Sequence, residues 1–154
     1  MRDIAWVLFA TCTLSGCAEQ MAKSDLKAQC ERDGKLPLVL GAKQSGIPIV
    51  LDMTTVTGVC LAPDEIGHLP ATFGADVIRS RISGQSGAGL YSVLPGSPAA
   101  KAGLRASDFI VEFRGQQIMR ADDLQAAIAS TTAGEEATVK FRRNRDELIA
   151  KIQF

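Results

Sequence analysis

The feature that most restricts the fold of this chain is a short helix that carries its own start and stop signals. Ser97 can accept a hydrogen bond from an amide of the first helical turn, and Pro98 suits the first helical position. Gly103 supplies the left-handed residue that ends the helix after a run of good helix formers. One strand ends at residues 93–94, and another is predicted over residues 109–113. The segment therefore predicts two strands joined by a tightly bounded helix.

The remaining C-terminal sequence predicts one more helix and a hairpin. The helix covers about residues 122–131, and its buried face is expected to contain Leu124, Ala127, Ile128 and Thr131. A strand follows over residues 138–142, with a hairpin loop over residues 143–146. The returning strand alternates at Leu148, Ala150, Ile152 and Phe154. These elements predict an α+β fold, a small and partly open antiparallel β-barrel with two helices.

The run Val93-Leu94-Pro95-Gly96-Ser97-Pro98-Ala99-Ala100-Lys101-Ala102-Gly103-Leu104, with its flanks over residues 87–110, resembles the central signature of a PDZ domain. The similar domains are those attached to bacterial periplasmic proteases of the HtrA and site-2 protease type. The resemblance begins near Leu69 and continues to Phe154, and we assign residues 67–154 to the domain. PDZ domains bind peptides and do no chemistry, so the resemblance implies a binding function.

Two positions depart from the pattern of these domains. Ser107-Asp108 stands where Gly-Asp is usual, which implies a left-handed serine at a cost of about 1 kcal/mol. Arg114-Gly115 stands where Asn-Gly is usual, which predicts a change of turn type.

The resemblance also implies where a peptide would bind. A PDZ domain receives an extended peptide as an added strand between a sheet edge and a helix. In the family, a loop of the form apolar-Gly-apolar holds the peptide carboxylate with its amides, and Phe73-Gly74-Ala75 stands in that place. The candidate peptide-binding residues are Phe73, Gly74, Ala75, Asp76, Val77, Leu124 and Ile128.

An alternative remains open for three of these residues. Phe73, Leu124 and Ile128 are equally expected in a plain hydrophobic core. Asp76 is expected to favour a basic residue upstream of the peptide terminus, and the affinity is expected to be roughly micromolar, about 8 kcal/mol.

The N-terminal sequence predicts a secreted, lipid-anchored protein. Residues 4–14 are mostly apolar but too few to span a bilayer, as in a signal peptide covering residues 1–16. Leu14-Ser15-Gly16-Cys17 resembles a bacterial lipobox, which implies lipidation of Cys17 with chains such as palmitate. Ala18 after Cys17 resembles the pattern sorted to the outer membrane, facing the periplasm. An ordinary secretory signal is the alternative.

The cysteines predict a disulfide. Cys12 would leave with the signal peptide and Cys17 would carry lipid, so Cys30 and Cys60 remain in an oxidising compartment. A bridge that closes a loop of about 30 residues contributes roughly 3–4 kcal/mol. Free thiols and a metal site are the alternatives, although two cysteines and a distant histidine make a poor metal ligand set.

Residues 17–66 are expected to hold the lipid anchor, a tether and a small disulfide-linked β-rich segment. Residues 18–23 are interpreted as the tether, and residues 24–34 as a helix with Ser24 as its cap and Gly34 as its stop. Strands are predicted over residues 36–40 and 47–51, joined around 41–46, with a further strand over 54–61. This segment is too short to bury much core alone.

Composition argues against several other functions. The formal net charge is zero and there is no basic stripe, so no nucleic-acid partner is predicted. Arg142, Arg143 and Arg145 are interpreted as a solvated loop. The single histidine, His68, lies in a linker, and there is no Gly-x-Ser-x-Gly turn for a nucleophile. We therefore predict no catalytic residue, metal, cofactor or small-molecule substrate.

Two functions remain. The first is a peptide-binding lipoprotein that captures C-termini or extended segments of envelope proteins. The second is a structural connector in an envelope or secretion assembly, which would use a folded surface of the domain. An exposed groove favours the first function and a covered groove favours the second.

Overall fold

A computed structural model describes residues 14–45, 53–82 and 84–154. Its helices are α1 (Leu14–Arg32), α2 (Pro98–Lys101) and α3 (Ala121–Ala129), with a 3₁₀ turn at Pro63–Glu65. Its strands are β1 (Leu36–Ser45), β2 (Met53–Leu61), β3 (Ile66–His68), β4 (Ala75–Ile78), β5 (Ala88–Val93), β6 (Phe109–Phe113), β7 (Gln116–Gln117), β8 (Glu136–Arg143) and β9 (Asp146–Gln153). Among the described helices, none combines the length and apolar character needed to cross a membrane.

The strands form two antiparallel sheets. β1 and β2 pair as a two-stranded sheet, and the larger sheet has the order β3-β4-β5-β6-β8-β9 with β7 paired to β6. Within the described residues, the larger sheet does not close into a barrel. The predicted α+β class and the partly open form are therefore confirmed, with α2 and α3 as the two helices of the predicted domain.

The short helix α2 forms as its sequence predicts. The Ser97 hydroxyl accepts a hydrogen bond from the Ala100 amide at 3.2 Å, and Pro98 opens the helix. Gly103 ends it with φ of +81°. Ser107 adopts the predicted left-handed conformation, with φ of +71°. Its hydroxyl donates to the Val39 carbonyl, so the residue that departs from the family pattern contacts strand β1.

The turn at Arg114-Gly115 contradicts the predicted change of type. Both residues have positive φ, +52° and +79°, which is the pattern of the type I′ turn that Asn-Gly favours. Arg114 therefore takes the conformation expected of asparagine. Its guanidinium lies 2.6 Å from the Glu135 carboxylate, an ion pair that the left-handed backbone permits.

The main core lies between the large sheet and its two helices. Alternate residues of β8 (Ala137, Val139 and Phe141) point into this core, as the alternation predicted. Leu124, Ala127 and Ile128 of α3 close it from the other side. Each large apolar side chain buried in this way contributes about 1.5–3 kcal/mol relative to exposure.

Helix α1 is longer than predicted. It runs unbroken from Leu14 to Arg32, so residues 18–23 are helical, and the predicted helix start with Ser24 as its cap is wrong. The Ser24 hydroxyl instead donates to the Met21 carbonyl inside the helix. Glu19 and Lys23, four residues apart, pair at 2.5 Å and support the earlier turns. Gly34, with φ of +65°, lies just beyond the helix end as predicted.

Strands β1 and β2 form a longer hairpin than predicted. β1 continues through Ser45, so the expected connection over residues 41–46 is wrong for 41–45, while β2 confirms the strand over 54–61. The predicted strand 47–51 lies outside the described residues.

The Cys30–Cys60 disulfide is confirmed, with a Cα–Cα distance of 5.3 Å, and it ties the end of α1 to β2. The hairpin then packs on the second face of the large sheet through a small apolar cluster that contains Leu38, Leu61, Ile78, Ile82 and Phe109.

Candidate functional site

The loop before β4 is held by its own backbone. The amides of Phe73 and Gly74 both donate to the Pro70 carbonyl, at 2.9 and 3.0 Å. The carbonyls of the same two residues accept from Ala99 and Leu94, at 3.1 and 3.0 Å. Gly74 has φ of +77°, and a Cβ there would collide with the Ser97 side chain, so only glycine fits. A ligand carboxylate would have to displace the Pro70 carbonyl to reach these two amides.

Strand β4 has a partner on both of its edges. β5 pairs with one edge, and β3 pairs antiparallel with the other, matching Ile66 to Ile78, Gly67 to Val77 and His68 to Asp76. Hydrogen bonds extend this ladder beyond β3: Leu69 donates to Ala75 at 3.0 Å and Arg79 donates to Glu65 at 2.7 Å. The edge expected to receive a peptide therefore carries the chain's own strand β3.

Asp76 connects the three strands β3, β4 and β5. Its Oδ1 lies 2.5 Å from His68 Nδ1, and the Ser92 hydroxyl donates to its Oδ2 at 2.6 Å. Burial opposes the ionised form, but the hydrogen bonds from Ser92 and His68 and the charge of His68 together hold the pKa of Asp76 below its ordinary value. The His68 ring is otherwise open to solvent, with 84% of its side chain exposed. The carboxylate expected to meet a basic ligand residue thus already has a partner from the chain itself.

The apolar residues predicted to line the groove lie in the main core. Phe73, Ala75, Val77, Leu124 and Ile128 all belong to this core cluster, each buried. Phe73 lies in the loop before β4, Ala75 and Val77 on β4, and Leu124 and Ile128 on α3, and all five are part of one core. Their burial fits the core-packing alternative for Phe73, Leu124 and Ile128. Contact of any of the five side chains with a peptide stays a prediction.

An open cavity of about 190 Å³ lies beyond the end of β4, beside the start of α3. Ile78 and Phe109 form part of its apolar lining. Three arginines line it as well, Arg79, Arg81 and Arg120, and no carboxylate is among its described lining residues. This part of the surface is suited to an anionic side chain on an extended segment.

Sequence reasoning missed a buried ion pair behind the loop that follows α2. Asp108 is fully buried, and Arg143 donates to its two carboxylate oxygens, each at 2.8 Å. The Arg105 amide donates to the same carboxylate at 2.7 Å, and Arg143 also donates to the Gly103 carbonyl at 2.7 Å. The hydrogen bonds from Arg143 to Asp108 raise the pKa of Arg143, against the effect of burial and with the help of the Asp108 charge.

The interpretation of the arginine cluster as a solvated loop is therefore wrong for Arg143. It is also wrong for Arg142, which is half-buried and donates to the Ser86 carbonyl at 3.0 Å. The Asp of the Ser107-Asp108 pair was the signal that could have indicated a buried partner, since a carboxylate in a turn before a core strand needs one.

Comparisons with known proteins agree with the fold. The profile of the PDZ domain family matches residues 89–143. A probable periplasmic serine protease of the do/HhoA-like type from Haemophilus influenzae is 41% identical over 80 residues, which are 51% of this chain and 17% of that protein. The periplasmic pH-dependent serine endoprotease DegQ of Escherichia coli is 33% identical over 88 residues, 56% of this chain and 19% of that protein.

One further relative and one solved structure complete the comparison. The magnetosome formation protease MamE of Magnetospirillum gryphiswaldense is 43% identical over 88 residues, 56% of this chain and 11% of that protein. A solved structure of the HtrA-type protease AlgW with a decapeptide aligns with a TM-score of 0.50 at 16% identity, covering 73% of this chain and 40% of that one. The chain thus spans less than a fifth of the length of these curated relatives, and only a segment of PDZ size matches.

Proposed function

We propose a protein-binding role for this chain, on the premise that it carries a PDZ domain related to those of the HtrA and DegP periplasmic proteases. In this proposal the domain captures a C-terminus or an extended segment of an envelope protein by strand addition at the edge of β4. It binds its partner and leaves it chemically unchanged. The periplasmic names of several relatives support the compartment.

The observation that carries the proposal is the ladder between β3 and β4. β3 lies antiparallel to β4 and is held by main-chain bonds, the arrangement that an added peptide strand would have. β3 has only three residues, and the middle one is Gly67, which contributes no side chain. A peptide strand would form the same main-chain bonds along β4 and could also add side-chain contacts that Gly67 does not make, so it could replace β3.

The arginine-lined cavity suggests which peptides would be preferred. An antiparallel peptide with its C-terminus at the loop of residues 69–74 would run toward Arg79, at the other end of β4. The upstream residues of the peptide would then reach the cavity that Arg81 and Arg120 line. An acidic upstream residue would fit the three arginines of this cavity, while Asp76, freed of His68 once β3 is displaced, would favour a basic residue nearer the peptide terminus.

A peptide-library measurement tests this function. Fluorescence anisotropy would compare labelled C-terminal peptides, acidic and basic upstream, on the native chain and on Gly67→Pro. Leu69 with Ala75 and Glu65 with Arg79 are hydrogen-bonded pairs of the ladder, and such pairs recur at every second residue. Gly67 and Val77 lie midway between them and therefore form a hydrogen-bonded pair as well. Proline at position 67 has no amide hydrogen, so it removes one of the hydrogen bonds that hold β3. Gly67→Ala keeps that amide and is the matched control.

We expect acidic peptides to bind with a Kd near the micromolar range, about 8 kcal/mol, and more tightly to Gly67→Pro than to Gly67→Ala. The absence of binding by all three folded proteins would reject the peptide-binding function.

The second candidate function is a structural connector. The specific observation in its favour is that β3 covers the edge of β4, so the partner would contact a folded surface. A Gly67→Pro variant that folds and still binds no peptide would support this alternative.

The lipid anchor belongs to the same proposal and rests on the lipobox-like sequence at residues 14–17. Cys17 would carry the acyl chains, and the domain would face the periplasm from the outer membrane. Labelling with a palmitate analogue in a Gram-negative host tests it, with Cys17→Ser as the control. Equal labelling of the native chain and Cys17→Ser would reject the anchor.

A further inference from the structure

The last strand of the large sheet has an open edge. β9 pairs with β8 on one side, and within the described residues no strand pairs with its other side. The β8–β9 register runs without a shift along all 8 residues of β9, and β9 contains no proline. The edge is long and regular and lacks prolines and bulges, two of the features that commonly prevent pairing with another chain; its charged residues are Asp146, Glu147 and Lys151.

The exposed side chains of this edge include large apolar groups. Ile149 is 68% exposed, the highest value among the large apolar residues of the described part of the chain, and Leu148 is 37% exposed. Both lie near the middle of β9, with Glu147 on one side and Lys151 on the other. An apolar centre between opposite charges is suited to a partner strand with the same pattern.

The backbone of β9 also presents its free groups at these positions. The Phe154 amide donates to the Glu135 carbonyl at 3.0 Å, next to the pairing of Ile152 with Ala137. Bonded pairs alternate along an antiparallel ladder, so the even-numbered residues of β9 bond to β8. The amides and carbonyls of Glu147, Ile149 and Lys151 therefore point away from the sheet.

We propose that β9 is the dimer interface of this protein, pairing antiparallel with β9 of a second copy about a twofold axis at Ile149. In this register Ile149 faces Ile149 of the partner subunit. Glu147 faces Lys151 of the partner subunit, and symmetry creates this ion pair twice. The outward backbone groups of all these residues then find partners.

Charge selects this register over those with the axis at Glu147 or Lys151, and only the axis at Ile149 pairs Glu147 with Lys151. A twofold axis at Glu147 would place two glutamates opposite each other, and an axis at Lys151 would place two lysines opposite each other. Like charges directly opposite are unfavourable, so the axis at Ile149 is preferred. Lys151 also bonds Glu136 on β8 at 2.8 Å, but its ammonium has three donors and its side chain is 68% exposed. It can therefore keep Glu136 and still reach the partner subunit.

The β9 edge and the β4 edge proposed for peptides are different edges of the large sheet, because β9 and the β3–β4 pair lie at opposite ends of the strand order. A dimer would therefore present two β4 edges at once, which strengthens binding to a partner that carries two copies of the recognised segment.

A charge-reversal series tests the dimer. Sedimentation equilibrium of the full chain in density-matched detergent would compare the native protein with Glu147→Lys, Lys151→Glu, the double variant and an equal mixture of the two single variants. Each single variant should weaken association about tenfold or more, because like charges then meet twice. The mixture and the double variant restore opposite charges and should recover the dimer.

Three results would contradict the proposed dimer. A native chain that stays monomeric would overturn the proposal. Equal dimerisation of all variants would place the interface elsewhere and overturn it too. Failure of the mixture to recover association would also contradict the register. Circular dichroism of each variant confirms that the exposed substitutions leave the fold intact.

Discussion

Two regions of this protein are held together in different ways. The region of the large sheet, from β3 to β9 with α2 and α3, encloses a continuous apolar core and one buried ion pair. The N-terminal unit, formed by α1, β1 and β2, has a disulfide and contributes only a few side chains to an apolar cluster shared with the sheet. The difference indicates that the sheet region carries its own stability, while the N-terminal unit depends on a covalent bond and on docking.

Loss of the disulfide is the largest expected effect and falls on the N-terminal unit. The double variant Cys30→Ser with Cys60→Ser should lose about 3–4 kcal/mol of unfolding free energy, because the denatured chain regains the freedom of the closed loop. Chemical denaturation of native and variant protein measures this loss. Without reductant, both should titrate the same number of free thiols. Two additional thiols in the native protein would contradict the bridge.

Loss of the buried ion pair should destabilise the sheet region nearly as much. Asp108→Ala removes the partner of Arg143 and should cost about 3 kcal/mol, since an unpaired charge would remain partly buried. Arg143→Lys keeps the positive charge but loses the bidentate contact with Asp108. Its stability should therefore lie between that of the native protein and that of Asp108→Ala. Thermal denaturation of the three proteins gives the order, and an unchanged Tm for Asp108→Ala would refute the role assigned to the pair.

Acid should weaken the attachment of β3 to the sheet. The pKa of Asp76 in the folded protein lies below its ordinary value of 3.8. The contribution of the Asp76 carboxylate to folding stability is therefore fully present above pH 3.8. It is lost as the pH falls through the folded pKa. Native protein should therefore lose more stability on acidification than Asp76→Asn. Denaturation curves at neutral pH and below pH 3.8 measure the difference, and parallel losses in the two proteins would argue against this contact.

The smallest expected effect concerns the hydrogen bond from the Ser107 hydroxyl of the sheet region to the Val39 carbonyl of the N-terminal unit. Ser107→Gly relieves a left-handed backbone that costs about 1 kcal/mol. It also removes the hydroxyl that donates to Val39, a bond of about the same size. The stability of Ser107→Gly should therefore stay within about 0.5 kcal/mol of the native value. Ser107→Ala keeps the strain without the bond and should be clearly less stable. Equal stability of Ser107→Ala and the native protein would show that the bond contributes nothing.

The sequence predicted the features that depend on local chemistry. Ser97, Pro98 and Gly103 determine the ends of α2 through neighbouring residues alone, and all three behave as expected. The start of α1 was missed because a cap-forming residue, Ser24, was given more weight than the good helix formers before it.

Long-range partners could not be read from the sequence. The contact between Asp108 and Arg143 joins residues 35 positions apart, and nothing in either neighbourhood identifies the other. The pairing of β3 with β4 depends on how the loop of residues 69–74 folds back on Pro70, which its composition does not encode in any simple pattern. The candidate peptide-binding residues lie on β4, in the loop before it and on α3, and their role stays a prediction. The pairing of β3 with the edge of β4 was not foreseen.

The central claim is that β4 offers a strand-docking edge on which β3 is a replaceable occupant. Amide hydrogen exchange with a saturating C-terminal peptide, taken from the library measurement, tests it most directly. The account predicts that the amides of Gly67 and Leu69 lose protection when the peptide binds, while the amide of Val77 stays protected by its new partner. If the peptide binds and the amides of Gly67 and Leu69 remain as protected as before, the peptide occupies another site and the claim is contradicted.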